Sequence, residues 1–219
     1  GCVVADHEFL ALLRRKCTDY GSILIFDEIV TSRMGYGGVQ AMSGIVPDLT
    51  TLGKYIGGGF SAGAFGGRAN IMAQMDPTRP NALVHAGTFN NNLFTMTAGA
   101  VALEKIFTRE AAEALIESGE RLRGRLNEIF ATIGIPAQAI GLGSIMNVHF
   151  TNKPIRRLED TFGADKRLYL LMQLDLIEQG IYIARRGQII LSLPMSDEQI
   201  SKVADAVEQF ATKRRDLFN

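Results

Sequence analysis

Tryptophan is absent from this chain, and cysteine and histidine are scarce. Two cysteines, Cys2 and Cys17, cannot build a disulfide framework, so both thiols are expected free in a reducing compartment. The three histidines, His7, His85 and His149, are scattered, and none sits at a metal-ligand spacing from a Cys, Asp or Glu. No metal site is expected. An excess of one charge is also missing: 23 Lys+Arg face 23 Asp+Glu, for a net charge of +0. That balance argues against a nucleic-acid partner or a basic membrane patch. No apolar run approaches the ~18 residues of a membrane span. The opening Gly1-Cys2-Val3-Val4-Ala5-Asp6 has no charged region followed by an apolar one, so no signal peptide is expected. Internal repeats and low-complexity tracts are lacking too. A cytoplasmic location is the expectation.

What is present is ordinary for a globular chain of 219 residues: 47% hydrophobic and 21% charged. That length allows one or two domains with a sizeable core. Asp6 can cap a helix running to about Tyr20, with Phe9, Leu10, Leu12 and Leu13 inward. Ile23 to Phe26 is a continuous apolar run, the mark of a parallel strand covered on both faces. Residues 31–44 read as a loop, 46–53 as a second strand region, 57–59 as a glycine turn and 62–67 as a third strand. Residues 76–85 carry two prolines and read as a surface loop.

From about Asn92 the pattern is helical to about Ile133, with breaks expected near Thr108 and Gly119. Residues 138–140 and 144–150 read as strands, and 165–179 as a helix. Residues 181–184 and 188–193 are expected to pair across Arg185-Arg186-Gly187. Ser196, with Gln199 three positions on, forms a capping box for a last helix reaching about Leu217.

The chemistry gathers around one lysine. Ser22-Ile23-Leu24-Ile25-Phe26-Asp27-Glu28 is a strand ending in two carboxylates. Val46-Pro47-Asp48-Leu49-Thr50-Thr51-Leu52-Gly53-Lys54 runs from a second strand into Lys54, ahead of Gly57-Gly58-Gly59. A lysine beside glycines can be a mere solvated loop residue. Asp27-Glu28 can simply open a helix, and the glycines fit neither phosphate-loop pattern. Together, a strand-end Asp and a Lys before a Gly-rich turn are what pyridoxal phosphate (PLP) chemistry needs. The lysine takes the aldehyde as a Schiff base, and the aspartate keeps the pyridine nitrogen protonated.

These strings, with Gly63-Ala64-Phe65-Gly66-Gly67 and His85-Ala86-Gly87-Thr88-Phe89-Asn90, resemble the class III aminotransferases, fold-type I PLP enzymes. Within them, the resemblance is to the glutamate-1-semialdehyde 2,1-aminomutase group and the β-amino acid aminotransferases. Thr31-Ser32-Arg33 and the Gly-Thr-Phe-Asn-Asn-Asn run favour the latter. The resemblance covers the C-terminal half of the family pattern. The phosphate-gripping Ser-Gly-Thr loop and the ring-stacking aromatic of the other half do not occur here, so a fragment or truncated homologue is expected, inactive alone.

The resemblance implies that Lys54 is the cofactor lysine and proton shuttle and that Asp27 is the pyridine-nitrogen partner. It implies that Thr88 reaches the cofactor phosphate of the other subunit of a homodimer with a shared site. Gly87 beside it permits close backbone approach, and Thr88 offers a small donor. Arg186 is the candidate for a substrate carboxylate, since a guanidinium fork suits it. Arg185 beside it, Glu28 and His85 are weaker candidates; Glu28 can orient or cap a neighbouring loop.

The expected fold class is α/β. Residues 1–105 would form part of a PLP-transferase large domain, a mostly parallel sheet with helices. Residues 106–219 would form a smaller α+β C-terminal domain. The expected reaction is PLP-dependent transfer of an amino group between an amino acid, a β-amino acid on the favoured side, and a keto acid. The alternatives are aminomutase-type intramolecular transfer and a catalytically silent fragment that pairs with a partner chain.

Overall fold

The computed structural model describes residues 1–218. The chain divides into two compact units, Asp6–Ala112 and the chain from Glu113 onward, with Gly1–Ala5 joining the second.

The first unit opens with helix α1 (His7–Asp19), entered through Asp6 in an extended conformation with no side-chain cap bond. Its apolar residues do not form the expected buried side: no α1 residue is buried, and Phe9 is 52% exposed. A three-stranded sheet follows, in the order β1 (Ile25–Asp27), β2 (Leu49–Gly53), β3 (Gly63–Gly67). β1 and β2 run parallel, with Ile25 opposite Leu49 and Asp27 opposite Thr51. β3 returns antiparallel, in a sheet expected to be mostly parallel. The short link through residues 54–62 turns back at one end of the sheet, whereas a parallel return needs a crossover of a dozen residues or more.

The loop expected at 31–44 holds a 3-10 turn at Thr31–Met34 and helix α2 (Gly38–Ser43). Helix α3 (Ala69–Met72) follows β3, and Asn92 caps α4 (Leu93–Val101) by accepting from the Phe94 and Thr95 amides. The unit's buried apolar side chains are Leu24, Met34, Phe107 and Ala112. The run Ile23–Phe26 is therefore not covered on both faces, and Ile25 is 53% exposed.

A π-helical turn at Ala102–Ile106 ends the α4 region, and Thr108 Oγ accepts from the Ala111 amide to start α5 (Arg109–Ile133). Here α5 runs through Gly119 without the expected break. That glycine instead lets the turn between β4 (Gln138–Leu142) and β5 (Ile145–His149) lie against the helix. A Cβ at Gly119 would stand 2.0 Å from the Gly143 carbonyl oxygen.

The second unit packs its helices on an antiparallel sheet, β4-β5-β6, with β6 at Gln188–Ile190. Every residue of β5 is buried. Leu115, Leu122, Leu126, Ile129 and Phe130 form one apolar stripe of α5. Met172 and Leu176 of α6 (Lys166–Glu178) are also buried, as are Val203, Val207 and Phe210 of α7 (Asp197–Lys213). Burying a side chain such as Leu126 or Phe130 is worth about 1.5–3 kcal/mol.

The Ser196–Gln199 capping box forms as read from the sequence; α7 stops at Lys213, and a 3-10 turn at Arg215–Phe218 completes the run. The expected pairing of 181–184 with 188–193 does not form a ladder. β6 pairs with β5 instead, and the 184–188 turn keeps single hydrogen bonds such as Ala184 N–H to the Gln188 carbonyl, 3.2 Å. The side of β5 opposite β4 is open to β6, so β6 satisfies its backbone there.

Candidate active site

β1 and β2 are parallel neighbours, so their carboxyl ends lie at the same end of the sheet. Ligands of α/β sheets bind outside such ends. Asp27 is the last residue of β1 and Lys54 the first after β2. Both side chains are exposed.

Asp27 is held by its own surroundings. Its Oδ1 accepts from the Ile29 amide at 3.1 Å and the Thr51 hydroxyl at 3.1 Å. Oδ2 makes no hydrogen bond among the described residues, so one carboxylate oxygen is left for a further donor. Lys54 has φ +57°, the left-handed region, which L-residues enter at a cost. Such conformations persist only where the surroundings over-determine them, and they cluster at functional sites. Among the described residues its amine has no hydrogen bond or ion pair. An open carboxylate oxygen and an unpaired amine at adjacent strand ends fit the donor set of a pyridine ring and its aldehyde.

Two of the glycines after Lys54, Gly57 and Gly58, serve close packing, whereas a Cβ at Gly59 would meet nothing within 4 Å. Gly58 has φ +59°, and a Cβ there would stand 2.4 Å from the Ala98 carbonyl oxygen. The turn thus lies backbone to backbone on α4. Gly87 and Thr88 occupy an exposed turn in which the Asn90 amide donates to the Gly87 carbonyl at 3.1 Å. Gly87 also lines a hollow of about 500 Å³ with Ser61, Gly63, His85 and Asn92. The His85 ring meets Phe65 edge-on, with centroids 5.2 Å apart.

Arg186 belongs to the second unit. It is exposed at the 184–188 turn, its Nη2 donates to Gln188 Oε1 at 2.6 Å, and its carbonyl accepts from Asn147 Nδ2 at 3.1 Å. With Arg185, Lys166, Tyr169 and His149 it lines a cavity of about 660 Å³. Burial pushes the His149 imidazole below its ordinary value.

Glu28 takes the capping role that the sequence allowed it, whereas Asp48 and Tyr55 carry structure that the sequence does not announce. Glu28, 1% exposed, accepts from the Thr31 hydroxyl and from the Val39 and Gln40 amides, so it caps α2. Asp48 accepts from the Leu24 amide at 2.7 Å, Arg68 at 2.8 Å and Arg14 at 2.9 Å. These donors, the Leu24 amide foremost, hold its carboxyl far below the usual carboxylate range. The Tyr55 hydroxyl reaches the Ser32 carbonyl at 3.4 Å. The one sequence signal for Asp48 is a carboxylate directly ahead of a strand.

The class-III aminotransferase family model matches residues 1–211. Among curated proteins, β-phenylalanine transaminase of Variovorax paradoxus is 49% identical over 210 residues, 96% of this chain and 48% of that protein. Its crystal structure superposes with a TM-score of 0.97 at 47% identity, covering 99% of this chain and 50% of that one. Glutamate-1-semialdehyde 2,1-aminomutase of Pyrobaculum neutrophilum is 36% identical over 185 residues, 84% of this chain and 43% of that protein. A transaminase solved with PLP bound superposes at a TM-score of 0.85 and 30% identity, covering 96% of this chain and 49% of that one. The chain belongs to the class-III aminotransferases, with a partial α/β fold of that family. It spans about half the length of the curated relatives it matches.

Proposed function

We propose that this chain is the lysine-bearing part of a PLP-dependent transaminase that moves an amino group from a β-amino acid to a keto acid. The observation that carries this reading is the pair Asp27 and Lys54 at the carboxyl ends of two adjacent parallel strands, with Lys54 held at φ +57°. The likeness to β-phenylalanine transaminase supports the β-amino acid.

When bound, PLP supplies an aldehyde that takes the amino group and a protonated ring that accepts electrons from the substrate carbon. Asp27, with Oδ1 fixed by Ile29 and Thr51 and Oδ2 open, would keep the ring nitrogen protonated. Lys54 Nζ would hold the cofactor at its aldehyde, and as a free amine it would serve as the general base at the amine-bearing carbon of the substrate. Gly87 and Thr88 would offer a close backbone approach and a hydroxyl to the cofactor phosphate of the other subunit of a homodimer. The exposed apolar side chains beside that turn, Val84 at 90% and Phe89 at 85%, support a covering subunit there. Arg186, in the second unit, is the proposed carboxylate-binding residue, with the part of its guanidinium that Gln188 leaves free. The likeness to an aminomutase supports intramolecular transfer as the second reading.

Borohydride reduction of the PLP-loaded protein, digestion and mass spectrometry test the assignment. The phosphopyridoxyl mass is expected on Lys54. A label on Lys16, Lys105 or any other lysine overturns it.

A further inference from the structure

Glu28 follows Asp27 directly, and strand alternation turns it inward, where it is 1% exposed. A buried carboxylate is tolerated only with donors around it. Glu28 has three: Thr31 Oγ at 2.6 Å, the Gln40 amide at 2.7 Å and the Val39 amide at 3.1 Å. The fit is tight, since a Cβ at Gly38 would stand 2.8 Å from the carboxylate, and Gly38 has φ +72°.

The same segment returns to the sheet twice. Gln40 Oε1 accepts from the Thr50 hydroxyl at 3.1 Å, and Thr50 lies opposite Phe26 in the β1–β2 register. The Tyr55 hydroxyl, one residue beyond Lys54, donates to the Ser32 carbonyl at 3.4 Å, and the Ser32 amide donates to the Glu28 carbonyl at 3.0 Å. The chain of contacts closes on itself: Asp27–Glu28, α2, Thr50, Lys54–Tyr55, Ser32 and back to Glu28. The Tyr55 ring is steadied by Phe107, with centroids 4.9 Å apart.

We propose that Glu28 and Tyr55 are positioning residues, which through the Thr31–Ser43 segment hold the Asp27 and Lys54 strand ends in one fixed relation. The proposal rests on the reading of Asp27 and Lys54 as the cofactor-binding pair. It gives the left-handed Lys54 its over-determined setting, because Tyr55 cannot move with Lys54 without giving up Ser32.

Tyr55→Phe removes the hydroxyl and keeps the ring against Phe107; Glu28→Gln keeps the volume and sets an NH2 against one backbone donor, Gln40 at Oε1 or Val39 at Oε2. Two readouts need no cofactor. One is hydrogen exchange of residues 31–34 and 52–55. The other is the rate at which Lys54 is acylated relative to Lys16, followed by mass spectrometry. In Tyr55→Phe, exchange in both segments is expected to quicken by about threefold to tenfold, the equivalent of one neutral hydrogen bond. The Lys54:Lys16 ratio is expected to change by about twofold or more, while peptides from 138–150 keep wild-type exchange. Wild-type exchange in 31–34, or an unchanged acylation ratio, overturns the proposal. Should Glu28→Gln fail to fold, Tyr55→Phe decides alone. A wild-type protein that takes no borohydride-trapped PLP on Lys54 sinks the functional reading, and these two readouts still judge the brace.

Discussion

At Lys54 the backbone sits at φ +57°, where an L-residue costs about 1–2 kcal/mol. Glycine enters the same region freely, although it raises the entropy of the unfolded chain. Lys54→Gly is therefore expected to be more stable than Lys54→Ala by about 0.5–1 kcal/mol, read from urea unfolding midpoints. Equal midpoints would mean that the residue does not hold the left-handed conformation. Asp27 shows no such strain, and the role proposed for it rests on placement: two donors on Oδ1 and an open Oδ2 at a strand end. Both residues were legible in the sequence because each ends an apolar strand run. The left-handed backbone was not, since nothing in the string Gly53-Lys54-Tyr55 demands it; the contacts around it, Tyr55 with Ser32 and Gly58 with Ala98, are made with distant residues.

Helix α5 shows where local reading stops. Its helical pattern and the break before it at Thr108 are legible in the sequence, whereas the break expected at Gly119 does not occur. A glycine signal is ambiguous in sequence because helix ends and close packing both call for it. The structure separates the two within one helix. A Cβ at Gly119 would stand 2.0 Å from a backbone oxygen, while at Gly124 nothing lies within 4 Å. Gly124→Ala is expected to stabilise by about 1 kcal/mol through helix propensity. Gly119→Ala gains the same propensity but overpacks, at about 1–3 kcal/mol, and is expected to destabilise. Chemical denaturation of the two variants checks the contrast, and stabilisation by both would remove the close approach to Gly143. Long-range facts such as the antiparallel return of β3 and the pairing of β6 with β5 were out of reach for the same reason. Periodicity marks a strand but carries no information about its neighbour.

Over the whole molecule, each unit fastens a buried carboxylate between cations. In the first, Asp48 joins the Leu24 amide, Arg14 and Arg68, and so ties α1 to the entry of β2 and the exit of β3. In the second, Arg214 grips Asp175 with Nε at 2.9 Å and Nη2 at 3.0 Å, and Lys213 stands 3.6 Å away. Both carboxyls are depressed below their ordinary range, Asp48 by the Leu24 amide and then the arginines, Asp175 chiefly by Arg214. A depressed folded-state value means that the folded chain holds the ionised form more tightly than the unfolded chain does. The stabilisation is complete above the unfolded carboxylate value of about 3.9 and is lost as pH falls toward the folded one. The protein is expected to keep its stability from pH 7 to about pH 5 and to lose it steadily below. Asp48→Asn and Asp175→Asn should each lower the urea midpoint at pH 7, because an amide leaves the cations uncompensated. Each should also flatten the decline between about pH 5 and pH 3, since the titrating group is gone. Urea midpoints measured across that range decide the matter: a variant that starts lower yet falls as steeply as the parent would place the acid sensitivity on other carboxylates.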